Sequence, residues 1–154
     1  MHPSPHEERP VNAVAGPSPS ITRMIRAGLL VLTVYARVVG IPALLAPSWF
    51  FTEFPLGRGW VAELPPYNEH LVRDAGALFT GFGVLLGLAA AQPRPILVRA
   101  ALIAWTVSAF PHLLFHLTHA GDLEWVDAVP ELSLLAVGVL LPLALLWLAR
   151  GRNR

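Results

Sequence analysis

The stretch "PHLLFHLTH", residues 111–119, sets three histidines into an otherwise apolar run. His112, His116 and His119 are spaced four and three apart, which on an α-helix stacks them along one face. Two imidazoles four apart can ligate one metal ion, and imidazoles from facing helices at matched depth can ligate a haem iron. A second polar run, "YNEHLVRDAGA", carries Glu69, His70, Arg73 and Asp74 within a turn and a half of helix. His70 and Asp74 share a face and either could complete a metal set with the histidine stripe. His70 with His116 is the candidate axial pair for a haem. The plainer alternative is a polar network in which the histidines bond Asp74, Glu69 or Glu131, because structural ion networks gather the same residue types.

Glu131 follows Pro130 at the head of a further apolar run, and Tyr35 and Arg37 lie within the first one. Glu69 and Glu131 are explained in part by the helix dipole, which favours carboxylates in a first turn, and Asn68 is a natural N-cap. Arg73 can snorkel to headgroups. Arg37 lies well below the end of its run and is expected to pair with Asp74 or Glu131, since charge at membrane depth normally faces the bundle interior and pairs. All these groups fall toward one end of their segments, so one shared polar pocket is the economical expectation. Two arginines against Glu69, Asp74 and Glu131 leave that pocket about one positive charge short; a protonated histidine or a bound cation would balance it.

The elements that must position these residues are membrane spans. The 154-residue chain is 55% hydrophobic and only 14% charged, against roughly 25% charged in soluble domains. Its mean hydropathy is +0.56. Four apolar segments, at about 24–46, 69–91, 99–120 and 129–149, are each long enough to cross a hydrocarbon layer of about 30 Å. They are apolar nearly all round, as spans are. Residues 1–22 hold five prolines and few large apolar side chains, the composition of a disordered tail, and Met24 is an alternative start. Residues 151–154 form a short basic tail.

Arg9, Arg23, Arg26, Arg94, Arg99, Arg150, Arg152 and Arg154 lie on one side of this topology. Arg58 stands on the other, where "GDLEWVDA" carries Asp122, Glu124 and Asp127 and no base. The positive-inside rule therefore predicts a multi-pass protein of the cytoplasmic membrane with both termini in the cytoplasm. The loop between the first two spans is rich in aromatics: Trp49, Phe50, Phe51, Phe54 and Trp60 suit the bilayer interface, and the loop is expected to lie over the mouth of the bundle. In the second span, Ala77 with Gly81 and Gly83 with Gly87 fit the small-xxx-small pattern of close helix packing.

Several functions are excluded. There is no cysteine, so disulfides and thiolate chemistry are absent. No basic patch interleaved with aromatics suggests nucleic acid. No nucleophile–base pair or phosphate loop supports hydrolysis or phosphoryl transfer.

The runs "YNEHLVRDAGALFTGFGVLLGLAAA" and "FPHLLFHLTH" resemble those of small four-span membrane proteins common in actinobacteria, distantly similar to DoxX-like proteins. The resemblance rests on Glu69, His70, Arg73, Asp74 and Gly76 in one helix and Pro111, His112, His116 and His119 in the next. It implies a four-helix bundle, and DoxX-like members imply a link to quinone redox chemistry. The expected protein is thus an all-α, integral-membrane four-helix bundle with an outward-facing His/Asp/Glu/Arg pocket for a metal ion, haem or quinone. The alternative is an accessory subunit in which the polar cluster only fixes helix packing. Besides the bilayer, the expected partner is a membrane protein or a second copy. A proton-coupled transporter is disfavoured, because no inverted repeat or broken-helix pair is evident.

Overall fold

A computed structural model describes residues 18–63, 66–119 and 123–150. Four long helices dominate it: α1 (Pro19–Leu45), α3 (Glu69–Ala91), α4 (Pro95–His119) and α5 (Trp125–Arg150). A short α2 (Pro47–Glu53) and a 3₁₀ turn (Trp60–Glu63) lie between α1 and α3. No strand occurs among the described residues. All four long helices are long and apolar enough to cross a membrane. The protein is an all-α, four-helix integral-membrane bundle.

Helices α1 and α4 start earlier than hydropathy alone suggests, because prolines are well placed in a first turn, where no N–H is needed. Pro19 and Pro95 open α1 and α4, and Ser18 caps α1 by accepting from Ile21 N at 3.4 Å. So residues 19–22, expected in a disordered tail, are helical; residues 1–17 and 151–154 lie outside the described residues. Asn68 caps α3 as expected, accepting from Leu71 N at 3.1 Å.

Neighbouring spans run antiparallel, and arginines tie their ends together. Arg26 near the start of α1 donates to Ala90 O at 2.9 Å at the end of α3. Arg73 near the start of α3 donates to Leu44 O at 2.6 Å at the end of α1. Arg99 of α4 donates to Ala149 O at 3.3 Å at the end of α5. A helix leaves its last carbonyls without intrahelical partners. Each of these arginines supplies a donor to a neighbour's last turn, besides any role in topology. Both described chain ends therefore lie at one end of the bundle, the termini end. The loop with α2 and the 3₁₀ turn lies at the other, the cap end.

The closest packing is between α1 and α3, and glycine permits it. A Cβ on Gly40 would stand 2.6 Å from Thr80 N, and one on Gly76 would overlap the backbone of Leu44 and lie 2.7 Å from Ala43 C. Gly83 and Gly87 meet α1 at Arg37, Ala36 and Thr33. Gly81 meets nothing within 4 Å, so the Ala77–Gly81 pair faces away from this seam while Gly83–Gly87 lies along it. The dry core then fills only the termini half, built from Ile25, Leu29, Leu32, Leu86, Val98, Leu102 and Leu145. Trp105 closes it toward mid-depth. Its ring meets Tyr35, Phe79 and Phe82 edge-on at 5.7–5.8 Å, and its Nε1 donates to Gly138 O at 2.7 Å. That carbonyl has a reason to need a donor: the residue four further on is Pro142, which has no N–H to give it.

Two stability predictions follow from these contacts. Gly76→Ala lowers stability by about 1–3 kcal/mol, as overpacking against backbone does, while Gly81→Ala is neutral or slightly stabilising; thermal unfolding in detergent compares them. Trp105→Phe leaves Gly138 O without a donor and costs about 1–3 kcal/mol beyond the lost ring contacts. In a Pro142→Ala background the new N–H takes that carbonyl, so the double-mutant cycle shows coupling; strict additivity would refute the pairing.

Candidate functional site

The cap half of the bundle is hollow. A cavity of about 360 Å³ lies there between α1, α3, α4 and α5. Aliphatic and aromatic side chains make up most of its wall, including Val39, Val72, Leu134, Leu135 and Phe79. Phe50, Phe54, Trp60 and Val61 close it from the cap. Its polar residues are Tyr35, His112, His116 and Glu131.

Each comes from a different constraint. Tyr35 projects from α1 onto Trp105, the aromatic floor. His112 and His116, one turn apart on α4, have ring centroids 4.7 Å apart, and His112 meets Phe79 at 6.4 Å. Glu131 lies six residues into α5, and His116 Nδ1 is 3.0 Å from its Oε1. The Glu131 side chain is only 8% exposed, and its Oε2 has no hydrogen-bond partner among the described residues. A buried carboxylate oxygen without a donor is costly, since nothing replaces the water it gave up.

The cap is fastened to the same helix one turn earlier. Asp127 Oδ1 accepts from Trp60 Nε1 at 2.7 Å and from the Arg58 guanidinium. The Asp127 carboxylate holds the Arg58 pKa above its ordinary range through this hydrogen bond and its charge. The turn that delivers Arg58 and Trp60 uses Gly57 and Gly59 at φ +79° and +63°; at Gly59 a side chain would also collide with Thr52 O, 2.7 Å away. Trp60, expected at the interface, is thus buried as a cap residue, as is Phe50, while Trp49 is 48% exposed. The expectation that this aromatic loop covers the bundle mouth matches the geometry.

The single shared pocket expected from the sequence resolves into two separate groups. His112, His116 and Glu131 meet at the cavity. Glu69, His70, Arg73 and Asp74 stay on the exposed outer face of α3: His70 pairs with Asp74 at 3.2 Å and Arg73 with Glu69 at 2.9 Å, both four apart on one helix. The His70 side chain is 88% exposed, so it does not face His116 across the bundle and the expected haem pair is not assembled. His119 turns back onto its own helix, stacked on Phe115 at 4.1 Å and within 3.0 Å of Phe115 O. Among the described residues no three His, Asp or Glu side chains gather to hold a metal ion. Arg37 pairs with neither Asp74 nor Glu131; it is exposed on the side of the bundle, its stem against Gly83. An arginine on that face can reach headgroups with its tip while its methylenes cover apolar surface. Asp122 lies outside the described residues.

The latch of Arg58 and Trp60 on Asp127 had no place in the expected site, and Tyr35 was expected there only as one of its polar groups. A tyrosine in an apolar span and an Arg-x-Trp in a glycine turn are weak signals alone. They acquire meaning only when α5 is brought beside them.

A bundle of four membrane-crossing helices, dry at one end and hollow at the other, makes this a small integral membrane protein. No protein-family model matches the chain, and no curated protein and no solved structure is detectably similar to it.

The latch makes a prediction. Asp127→Ala removes two hydrogen bonds, one charge-assisted, which is enough to raise the open-cap population about tenfold. The chain has no cysteine, so Val61→Cys reports access cleanly. Labelling by a water-soluble maleimide accelerates in the Asp127→Ala background and stays slow without it; equal rates would show that the latch does not hold the cap.

Proposed function

We propose that the protein binds a small, mostly apolar molecule in the cap-end cavity. The single observation that carries this is a hollow of about 360 Å³ in one half of a bundle whose other half is densely packed. Ligand sites typically run from roughly 300 to 1,000 Å³, apolar with a few converging polar groups. The polar corner of Tyr35, His112, His116 and Glu131 supplies orientation, and the cap supplies closure.

The reading as an accessory subunit draws support from one contact, His116 with Glu131, which joins α4 to α5. The pairs on α3 each lie within one helix, and of their members Arg73 alone also reaches α1, at Leu44 O. A purely structural role requires no hollow, and small-molecule binding is favoured for that reason. The distribution of arginines favours the cytoplasmic membrane, with both termini in the cytoplasm and the cavity near the outer leaflet. The likeness to DoxX-like proteins is carried by the two histidine-bearing runs alone; the separation of His70 from His112 and His116 gives no support to a redox centre built from all three.

Isobutylbenzene, an apolar probe small enough for the cavity, tests the reading. It raises the thermal midpoint of the protein in lipid nanodiscs, and Ala75→Trp, which fills the wall of the cavity, removes the shift while the bundle still folds. An equal shift in both proteins would mean that the probe acts through the lipid, and would overturn the proposal.

A further inference from the structure

We propose that the cavity selects a lipophilic organic cation, a protonated amine on an apolar body, with Glu131 as its counter-charge. This rests on the reading of the cavity as a ligand site and names the class of ligand.

Three observations converge on it. First, among the described residues Glu131 is the only acidic residue lining the cavity, and no arginine lines it. Arg58 of the cap is engaged by Asp127, and Arg37 lies outside on the bundle surface. His116 serves one carboxylate oxygen, and Oε2 is left with no donor among the described residues. A ligand N–H fits that need, and its positive charge offsets the cost of a carboxylate held away from water.

Second, five aromatic rings line the cavity: Tyr35, Phe50, Phe54, Trp60 and Phe79. The faces of such rings attract a cation, more strongly where water is excluded. Aliphatic walls would serve a neutral guest as well; the rings add preference for a charged one.

Third, the two features line the same cavity. Phe50, Phe54 and Trp60 come from the cap, and Glu131 from α5, one turn after the residue that latches the cap. A guest between them touches both carboxylate and rings, and its apolar body rests on Val39, Val72, Leu134 and Leu135. An anion would meet Glu131 as a like charge, and a neutral hydrocarbon would leave Oε2 unserved.

The test compares N,N-dimethylbenzylamine, protonated at neutral pH, with isobutylbenzene, its uncharged carbon isostere. Binding to nanodisc-embedded protein is measured by equilibrium dialysis, with empty nanodiscs subtracting partition into lipid. The amine binds about tenfold tighter or more than the isostere. Glu131→Gln removes that preference, bringing the amine's affinity down to the isostere's. If the isostere binds as well as the amine, or if the preference survives in Glu131→Gln, the proposed cation selectivity is wrong and the cavity remains an apolar ligand site. If 2-phenylethanol matches the amine, a donor is required but a charge is not, which also overturns it. If neither amine nor isostere binds above empty nanodiscs, the reading of the cavity as a ligand site falls with it.

Discussion

Inside a hydrocarbon layer no water takes up a spare hydrogen bond, so each backbone or side-chain group that lacks a partner must find one within the protein. Much of this structure follows from that constraint. Pro142 deprives Gly138 of its helical N–H, and Trp105 supplies another. Helix ends expose carbonyls, and Arg26, Arg73 and Arg99 reach across from antiparallel neighbours to meet them. Thr33, Thr80 and Thr106 turn their hydroxyls back onto the carbonyls of Leu29, Gly76 and Leu102 in their own helices. Against so consistent a pattern, the unpartnered Oε2 of Glu131 stands out as the place where the protein's own accounts are left open.

The hollow has an equally physical origin. Gly40 and Gly76 let α1 and α3 touch backbone to backbone. Large residues fill the bundle from Ile25 to Leu32 and from Leu86 onward, so the axis of the termini half is closed by a buried apolar core. Toward the cap, Val39, Ala43, Ala75 and Gly76 are too small to meet Leu134 and Leu135 across the axis, and a space remains. Phe50, Phe54 and Trp60 cover that space from above but do not fill it. Trp105, with Tyr35, Phe79 and Phe82 around it, forms the boundary between the two halves. A packed base, a ringed floor and a latched cap place four polar residues in one apolar chamber.

How much of this was legible differs between fold and site. Number, length and alternation of the spans follow from hydropathy, because the bilayer imposes a single length on every segment. The ends of the spans away from the expected polar groups are the apolar core. The grouping of polar residues was legible in depth but not in direction. Glu69, His70, Arg73 and Asp74 sit at the right level but on an exposed face of α3, since α3 turns Gly76, Gly83 and Gly87 toward α1 and its other side outward. Arg37 was placed inward on the general cost of charge at depth, yet the α1–α3 seam leaves it on the outside. Spacing tells which residues of one helix share a face; it does not tell which way the face points when the helix is apolar all round.

The sequence by itself therefore determined a four-span membrane bundle, a cap of aromatics at one end, and a histidine pair one turn apart on α4, because these depend on segment length, composition and helical repeat. Only the tertiary structure decided that His116 meets Glu131, that His70 pairs with Asp74 on the exposed face of α3, that Asp127 holds down the cap, and that a cavity lies in the cap half of the bundle. Those outcomes depend on the rotation of each helix about its own axis. In an apolar helix that rotation is set by small residues and side-chain volumes on its neighbours, a property of the assembled bundle that no single segment carries.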